Sequence, residues 1–185
     1  ESKGQLYRVS AERVSHELEL LLLGDHVHDA LMQTVDVLAA ALPEVVAMKG
    51  FVQDTPYHIY DVWEHTAYVV QYSPATRLSR WTALFHDMGK PACHFNAEDG
   101  VGHFYSHAKV SLILSEAIMR RLKMSPSFAA KVLCLVERHD DVIEETPRSV
   151  KRALARLDGD TELFRALCAI KKADALSQAP QCASR

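Results

Sequence analysis

The chain has 185 residues, 48% of them hydrophobic, with 24 acidic and 21 basic side chains and a formal net charge of -3 at pH 7. That length suits one domain, or one domain with a small appendage, and the apolar fraction is ordinary for a globular chain with a core of its own. The mild charge gives no global reason to expect a polyanion binder, and the leucine run around residues 18–23 is too short to span a bilayer.

Nothing at the start reads as a charged leader, apolar run and cleavage site, and a first residue of Glu1 leaves room for an upstream portion. Cys93, Cys134, Cys168 and Cys182 form neither a C-x-x-C motif nor a disulfide-scaffold spacing. Reduced thiols in a cytoplasmic protein fit that pattern, with no membrane partner expected.

In chain order, a short lead-in precedes Ser10, which is placed to cap a helix through Leu23, with Gly24 ending it. Asp25 is the expected cap of a second helix through about Leu42, where Pro43 breaks the pattern, and a helical turn follows around Glu44 to Met48. Residues 1–50 carry no obvious chemistry and read as a helical support or linker. Residues 51–185 are expected to be the functional domain, with helices at about 61–72, 77–88, 105–122, 127–139, 148–157 and 161–176. Pro74, Ser125-Pro126, Pro147 and Asp158-Gly159-Asp160 punctuate them. No strand series or repeat emerges, so the predicted fold is all α.

The centre of this arrangement is Trp81-Thr82-Ala83-Leu84-Phe85-His86-Asp87-Met88-Gly89-Lys90. Leu78, Trp81, Phe85 and Met88 describe an apolar helix face, so the His-Asp pair lies at a helix C-terminus. A carboxylate is unfavourable there unless a cation reverses the electrostatics. Four further groups share apolar helix phases. His65 lies with Val62, Val69 and Tyr72; His107 with Val110, Leu114 and Ala117; His139 follows Leu135 and Val136; Asp174 continues Leu163, Leu167 and Ile170. Unpaired carboxylates on such faces are costly, whereas a metal supplies charge and partners.

His65, His86, Asp87 and Asp174 form the expected first site for a divalent ion, with Mg, Mn, Ni and Co not distinguished. Such a site either activates water and polarises phosphorus or only staples helices. His107 and His139 either complete a second metal site bridged by Asp87 or contact substrate phosphate. Asp140 either orients His139 from behind or faces solvent. The loop from Gly89 to Gly102 offers Lys90, His94 and His103 as candidates for phosphate contact or proton transfer. Cys93 beside His94 supplies too few ligands for a separate zinc site. Two basic clusters, Arg120, Arg121 and Lys123, and Arg148, Lys151, Arg152 and Arg156, are either wet helix faces or contacts for phosphate or RNA.

The ordered set His65, His86-Asp87 and Asp174, with His107 and His139 as additional histidines, resembles the HD metal-dependent phosphohydrolase superfamily. Met88-Gly89 and Lys90 match the usual continuation of its motif. Four stretches look more specifically like the C-terminal HD portion of bacterial tRNA nucleotidyltransferases, the CCA-adding enzymes. They are Tyr57-His58 through His65, Arg80 through Lys90, Gly102-His103-Phe104-Tyr105-Ser106-His107, and Lys172-Ala173-Asp174-Ala175. Val9-Ser10-Ala11-Glu12-Arg13 through Leu22 is similar to the helical region before that portion. Ser106 replaces a glycine common at its position.

The resemblance implies an HD helical bundle with a short N-terminal helical appendage. It also implies a metal-dependent phosphohydrolase acting on a 2′,3′-cyclic phosphate, a 2′-nucleotide or a related RNA-terminal phosphoester, with tRNA as a partner. No Gly-rich strand-turn element with paired acids is present, so the nucleotidyltransferase head is expected to be missing from this chain. The alternatives are a noncatalytic RNA-interaction or architectural domain and a hydrolase of free nucleotides.

Overall fold

The computed structural model describes residues 9–96 and 101–178. The expected lead-in over residues 1–8 and Cys182 lie outside the described residues. The chain runs α1 (Ala11–Leu22), α2 (Val27–Ala41), a 3-10 turn (Pro43–Ala47), α3 (Val62–Tyr72), α4 (Arg77–Phe85), α5 (Lys90–Cys93), β1 (Phe95–Asn96), β2 (Gly102–His103), α6 (His107–Arg121), α7 (Pro126–Arg138), α8 (Pro147–Ala155) and α9 (Thr161–Leu176). The fold is all α, with β1 and β2 forming a two-residue antiparallel ladder. No helix among the described residues is long and apolar enough to cross a membrane.

Side-chain caps set several helix starts. Ser10 accepts from the Arg13 amide and starts α1. Asp61 accepts from the Glu64 amide at 2.7 Å to start α3, while its second oxygen accepts from the Gly50 amide at 2.8 Å. Asp160 caps α9 through the Glu162 and Leu163 amides. Such caps satisfy amides that the first helical turn leaves without partners. Asp25 does not play the expected part: α2 begins at Val27, and His26 at its cap makes no side-chain bond.

One apolar cluster runs from Leu18 and Leu31 through Val62, Trp63, Trp81 and Phe85 to Ile170 and Ala173. It joins α1 and α2 to the helices that follow. A smaller cluster of Leu135, Leu157 and Leu167 lies beneath α7 and α9. α4 and α9 pack on each other and both pack on α3 and α7, and α6 covers α7.

Three boundaries differ from the sequence expectation, each for a local reason. The helix expected to reach residue 88 ends at Phe85, because the bonding tightens to Met88 N to Phe85 O and Lys90 N to Asp87 O. That i to i−3 pattern is a common way for a helix to close. α6 starts at His107 rather than 105, because Ser106 adopts a left-handed backbone (φ 65, ψ 13) that no helix continues. The expected loop 89–102 contains the short α5 and one strand of the ladder, held by a bond from the Gly102 amide to the Asp54 carbonyl.

Candidate metal centre

The turn after α4 carries His86, Asp87 and Gly89 to the middle of the bundle. Gly89 has an ordinary helical backbone, and its importance lies in proximity. A Cβ there would come within 2.7 Å of the Ser111 amide nitrogen and nearer still to the His107 carbonyl oxygen. The Gly89 amide donates to Ser111 Oγ at 2.8 Å. A missing side chain thus lets the turn lie directly on α6 and brings Asp87 beside His107.

Asp87, 2% exposed, is the focus of the site. Its Oδ2 lies 3.2 Å from His86 Nε2 and 3.5 Å from His65 Nε2, and its Oδ1 lies 3.4 Å from His107 Nε2 and 3.7 Å from His139 Nε2. Asp174 Oδ1 is 3.0 Å from His65 Nε2. His65, His86 and Asp87 form one group that could hold a metal ion, and Asp87, His107 and His139 form another. α3, the turn after α4, and α9 supply the first side of the cluster; α6 and the end of α7 supply the second.

The outer nitrogens fix which ring nitrogen faces inward. Nδ1 of His86 donates to Ala83 O at 2.6 Å, that of His107 to Phe104 O at 2.9 Å, and that of His139 to Val136 O at 2.7 Å. His65 Nδ1 points to Ser177 O at 3.4 Å. A ring that donates from Nδ1 presents a lone pair at Nε2 when neutral. His107 Nε2 and His139 Nε2 then face each other at 3.1 Å with no proton between them, an arrangement that calls for a cation. His65 Nε2, His86 Nε2 and Asp87 Oδ2 are buried without a hydrogen-bond partner. Buried polar atoms are normally satisfied, so the donor set fits a metal ion.

The electrostatics express the same demand. Burial pushes Asp87 up, but the charges of His86 and Lys90 outweigh it and hold the carboxyl well below its usual range. Burial opposes protonation of His86, yet Asp87 raises its pKa overall. Asp174 is also lowered, burial being outweighed by its contact with His65. His107 is lowered by burial.

Lys90 Nζ lies 2.7 Å from Asp87 Oδ2, an ion pair in distance but too poorly aligned to satisfy that oxygen as a hydrogen bond. The ammonium also donates to Gln53 Oε1 at 2.8 Å and lies 3.3 Å from His58 Nε2. Thr55 Oγ1 is 2.7 Å from His58 Nδ1. Burial first, and the nearby Lys90 charge second, push the His58 pKa down to about 3, so this ring stays neutral beside the lysine.

A cleft of about 170 Å³ opens onto the cluster, lined by His58, Asp87, Lys90, Phe104, His107, His139, Asp140, Asp174 and Gln178. A larger groove lies between α1 and α2, but Val14, Leu18, Leu21 and Leu38 make it apolar. The donor set, rather than volume, locates the candidate site.

The other sequence candidates lie outside the two donor groups. Asp140 is exposed at the cleft edge, and His139 takes its orientation from the Val136 carbonyl instead. His103 stacks between Phe95 and Tyr105 on the hairpin and does not line the cleft. His94 stacks on Phe104 and lies 3.7 Å from Asp54. Gln53, His58, Phe104 and Gln178 were not singled out as site residues. Gln178 follows Asp174 by one helical turn and approaches its carboxylate at 3.4 Å, a spacing that could have suggested it.

The bundle and its buried His/Asp cluster define a class. A sequence model of the HD domain matches residues 56–179, and the chain belongs to the HD domain family. Among its relatives, it is 33% identical to the "CC-adding tRNA nucleotidyltransferase" of Thermus thermophilus over 153 residues, covering 78% of this chain and 35% of that protein. It is 30% identical to the "A-adding tRNA nucleotidyltransferase" of Deinococcus radiodurans over 144 residues, covering 74% and 33%. The "Multifunctional CCA protein" of Pasteurella multocida is 27% identical over 187 residues, covering 92% and 44%. The chain therefore spans less than half the length of these relatives.

Proposed function

We propose that this chain is a metal-dependent phosphohydrolase acting on a 2′,3′-cyclic phosphate, a 2′-nucleotide or a related RNA-terminal phosphoester. The observation that carries this reading is the Asp87 carboxylate, whose two oxygens each face a pair of imidazole Nε2 atoms. His65, His86, Asp87 and Asp174 would hold the divalent ion, with His107 and His139 either holding a second or contacting phosphate. A divalent ion held there would supply Lewis-acid polarisation of the phosphoester and a water nucleophilic near neutral pH.

The protein's own groups supply the remaining functions. The backbone carbonyls of Ala83, Phe104 and Val136 hold the imidazoles with their lone pairs inward, limiting rearrangement during reaction. Lys90, held by Gln53 and His58, offers its ammonium to a phosphate oxygen at the cleft. The cleft volume of about 170 Å³ is below that of sites that enclose a whole drug-sized ligand. A cleft of that size would suit a phosphoester group whose remainder stays outside. The relatives are tRNA nucleotidyltransferases by name, and tRNA is the proposed source of the strand. α1 and α2 would serve as the helical support through which a preceding nucleotidyltransferase region is joined.

Metal-free protein, reloaded separately with Mg, Mn, Ni and Co, tests this against cyclic nucleotides, 2′-nucleotides, nucleoside triphosphates and guanosine polyphosphates. Opening of a cyclic phosphate that disappears in His86→Ala supports the reading. Robust cleavage of only the free triphosphates or polyphosphates moves the assignment to those substrates. Metal-independent RNA binding with no turnover makes this an architectural domain.

A further inference from the structure

The second basic cluster of the sequence occupies α8; Lys109, Lys131 and Lys172 are also exposed without an ion pair among the described residues, but the α8 bases fall within five consecutive residues. Arg13 pairs with Glu17, Lys49 with Asp36, Arg121 with Glu44 and Lys123 with Glu12. By contrast, Arg148, Lys151 and Arg152 are exposed and have no carboxylate within ion-pair distance among the described residues. α8 contains no acidic residue, and it buries Ser149 and Ala153 on another face. The preceding Glu144 and Glu145 are exposed but form no ion pair with these bases. Residues three and four apart share a helix face, so the three cations make one stripe about 6 Å long at the helical rise.

The stripe is anchored to the edge of the candidate metal centre. Arg156, just beyond α8, pairs with Asp141 at 2.8 Å. Asp141 follows Asp140, which lines the cleft, and α8 packs on α9, the helix that carries Asp174. Asp141 and the packing on α9 thus set α8 beside the rim of the cleft. Resting on the phosphoester reading above, we propose that Arg148, Lys151 and Arg152 form a docking surface for the phosphate backbone of the RNA strand whose terminus enters the cleft. A repeating anion satisfies three unpaired cations at once, and the contact gains by releasing counterions.

Fluorescence anisotropy with a short single-stranded RNA ending in a 2′,3′-cyclic phosphate, across about 50 to 200 mM salt, tests this surface. The combined variant Arg148→Ala, Lys151→Ala, Arg152→Ala should bind roughly tenfold more weakly at the low-salt end. Its slope of log affinity against log salt should fall by about 2, from three contacts at about 0.7 each. Arg148→Lys with Arg152→Lys should retain most of the slope, showing that charge rather than local folding is read. Hydrolysis of a cyclic mononucleotide should be unchanged in both variants. Equal RNA affinity and slope in wild type and the alanine variant would overturn the proposal. So would RNA binding absent from wild type, or α8-dependent binding only to phosphatidylserine vesicles. Salt-sensitive RNA binding through α8 without opening of any cyclic phosphate would leave this surface standing and sink the hydrolase reading instead.

Discussion

The α1–α2 layer and the Asp87 cleft are both buried parts of one molecule, yet they use burial in opposite ways. Leu18, Leu22, Leu31, Val35 and Leu38 remove apolar surface from water, and on α1 and α2 only His28 Nε2 is a buried polar side-chain atom without a partner among the described residues. The cleft buries two imidazole nitrogens and a carboxylate oxygen that the protein itself leaves unsatisfied. Burial in the first region stabilises the fold by roughly 25 cal/mol per Å² of apolar area. In the second it desolvates groups whose natural complement is a cation. The contrast separates a region selected for packing from one organised for binding.

The sharpest test of that contrast is Asp87→Asn. It keeps the volume of the side chain while removing the charge both halves of the cleft face, so divalent-ion affinity should fall by more than about 100-fold and turnover should vanish. Circular dichroism should still report the native helices. Unchanged ion stoichiometry by calorimetry would reject Asp87 as a ligand and dissolve the distinction between the two regions.

Leu31→Ala is the converse experiment. Leu31 is 1% exposed on α2, so its truncation should cost about 2–5 kcal/mol of unfolding free energy. Ion affinity at temperatures well below the transition should stay as in wild type. Urea unfolding paired with ion titration measures both, and a parallel loss of ion affinity would show that the layer helps to dimension the cleft.

A smaller effect should appear with pH. His58 is pushed down to about 3 in the folded protein from an ordinary 6.5, so the unfolded chain binds its proton first. Stability from this group is complete above about pH 6.5 and is lost as pH falls toward 3. His107, lowered by burial, acts in the same direction. The raised pKa of His86 has the opposite sign and costs stability only as pH rises above its ordinary value. Metal-free protein should thus lose thermal stability from pH 6.5 to 4, and His58→Gln should flatten the profile. An equally steep profile in that variant would remove His58 as the cause. No such dependence is expected of the apolar layer.

Much of the helical plan was legible because its signals are local. Ser10, Asp61 and Asp160 cap helices by ordinary side-chain acceptance, and the spacing of Trp81, Phe85 and Met88 marks the buried face that delivers His86 and Asp87. The gathering of His65, His107, His139 and Asp174 could be anticipated only as a shared apolar phase, since helix periodicity says which way a side chain points but not what it meets. Gln53 and His58 lacked even that signal. They lie in the irregular stretch before α3, and only the packing of Lys90 against them reveals their place. The backbone at Ser106 was marked only through the family resemblance, as a serine where glycine is common, before the left-handed φ of 65 gave the reason.

That position supplies the mildest prediction. An L side chain in this backbone region carries a steric penalty that glycine avoids, so Ser106→Gly should stabilise the fold by about 0.5–1 kcal/mol, even after the greater freedom of an unfolded glycine. Differential scanning calorimetry should show a higher midpoint. A lower midpoint would mean that the serine makes a compensating contribution to the turn.

The contact between Gly89 and α6 has a consequence for how the site can vary. Main chain meets main chain there, so the gap between Asp87 and His107 cannot be relaxed by choosing another rotamer at position 89. Even alanine would have to push α6 aside, because its methyl group would occupy space taken by the His107 carbonyl and the Ser111 amide. Substitutions that reshape the cleft without moving α6 are therefore confined to the residues around it, while the spacing across it is set by the backbone.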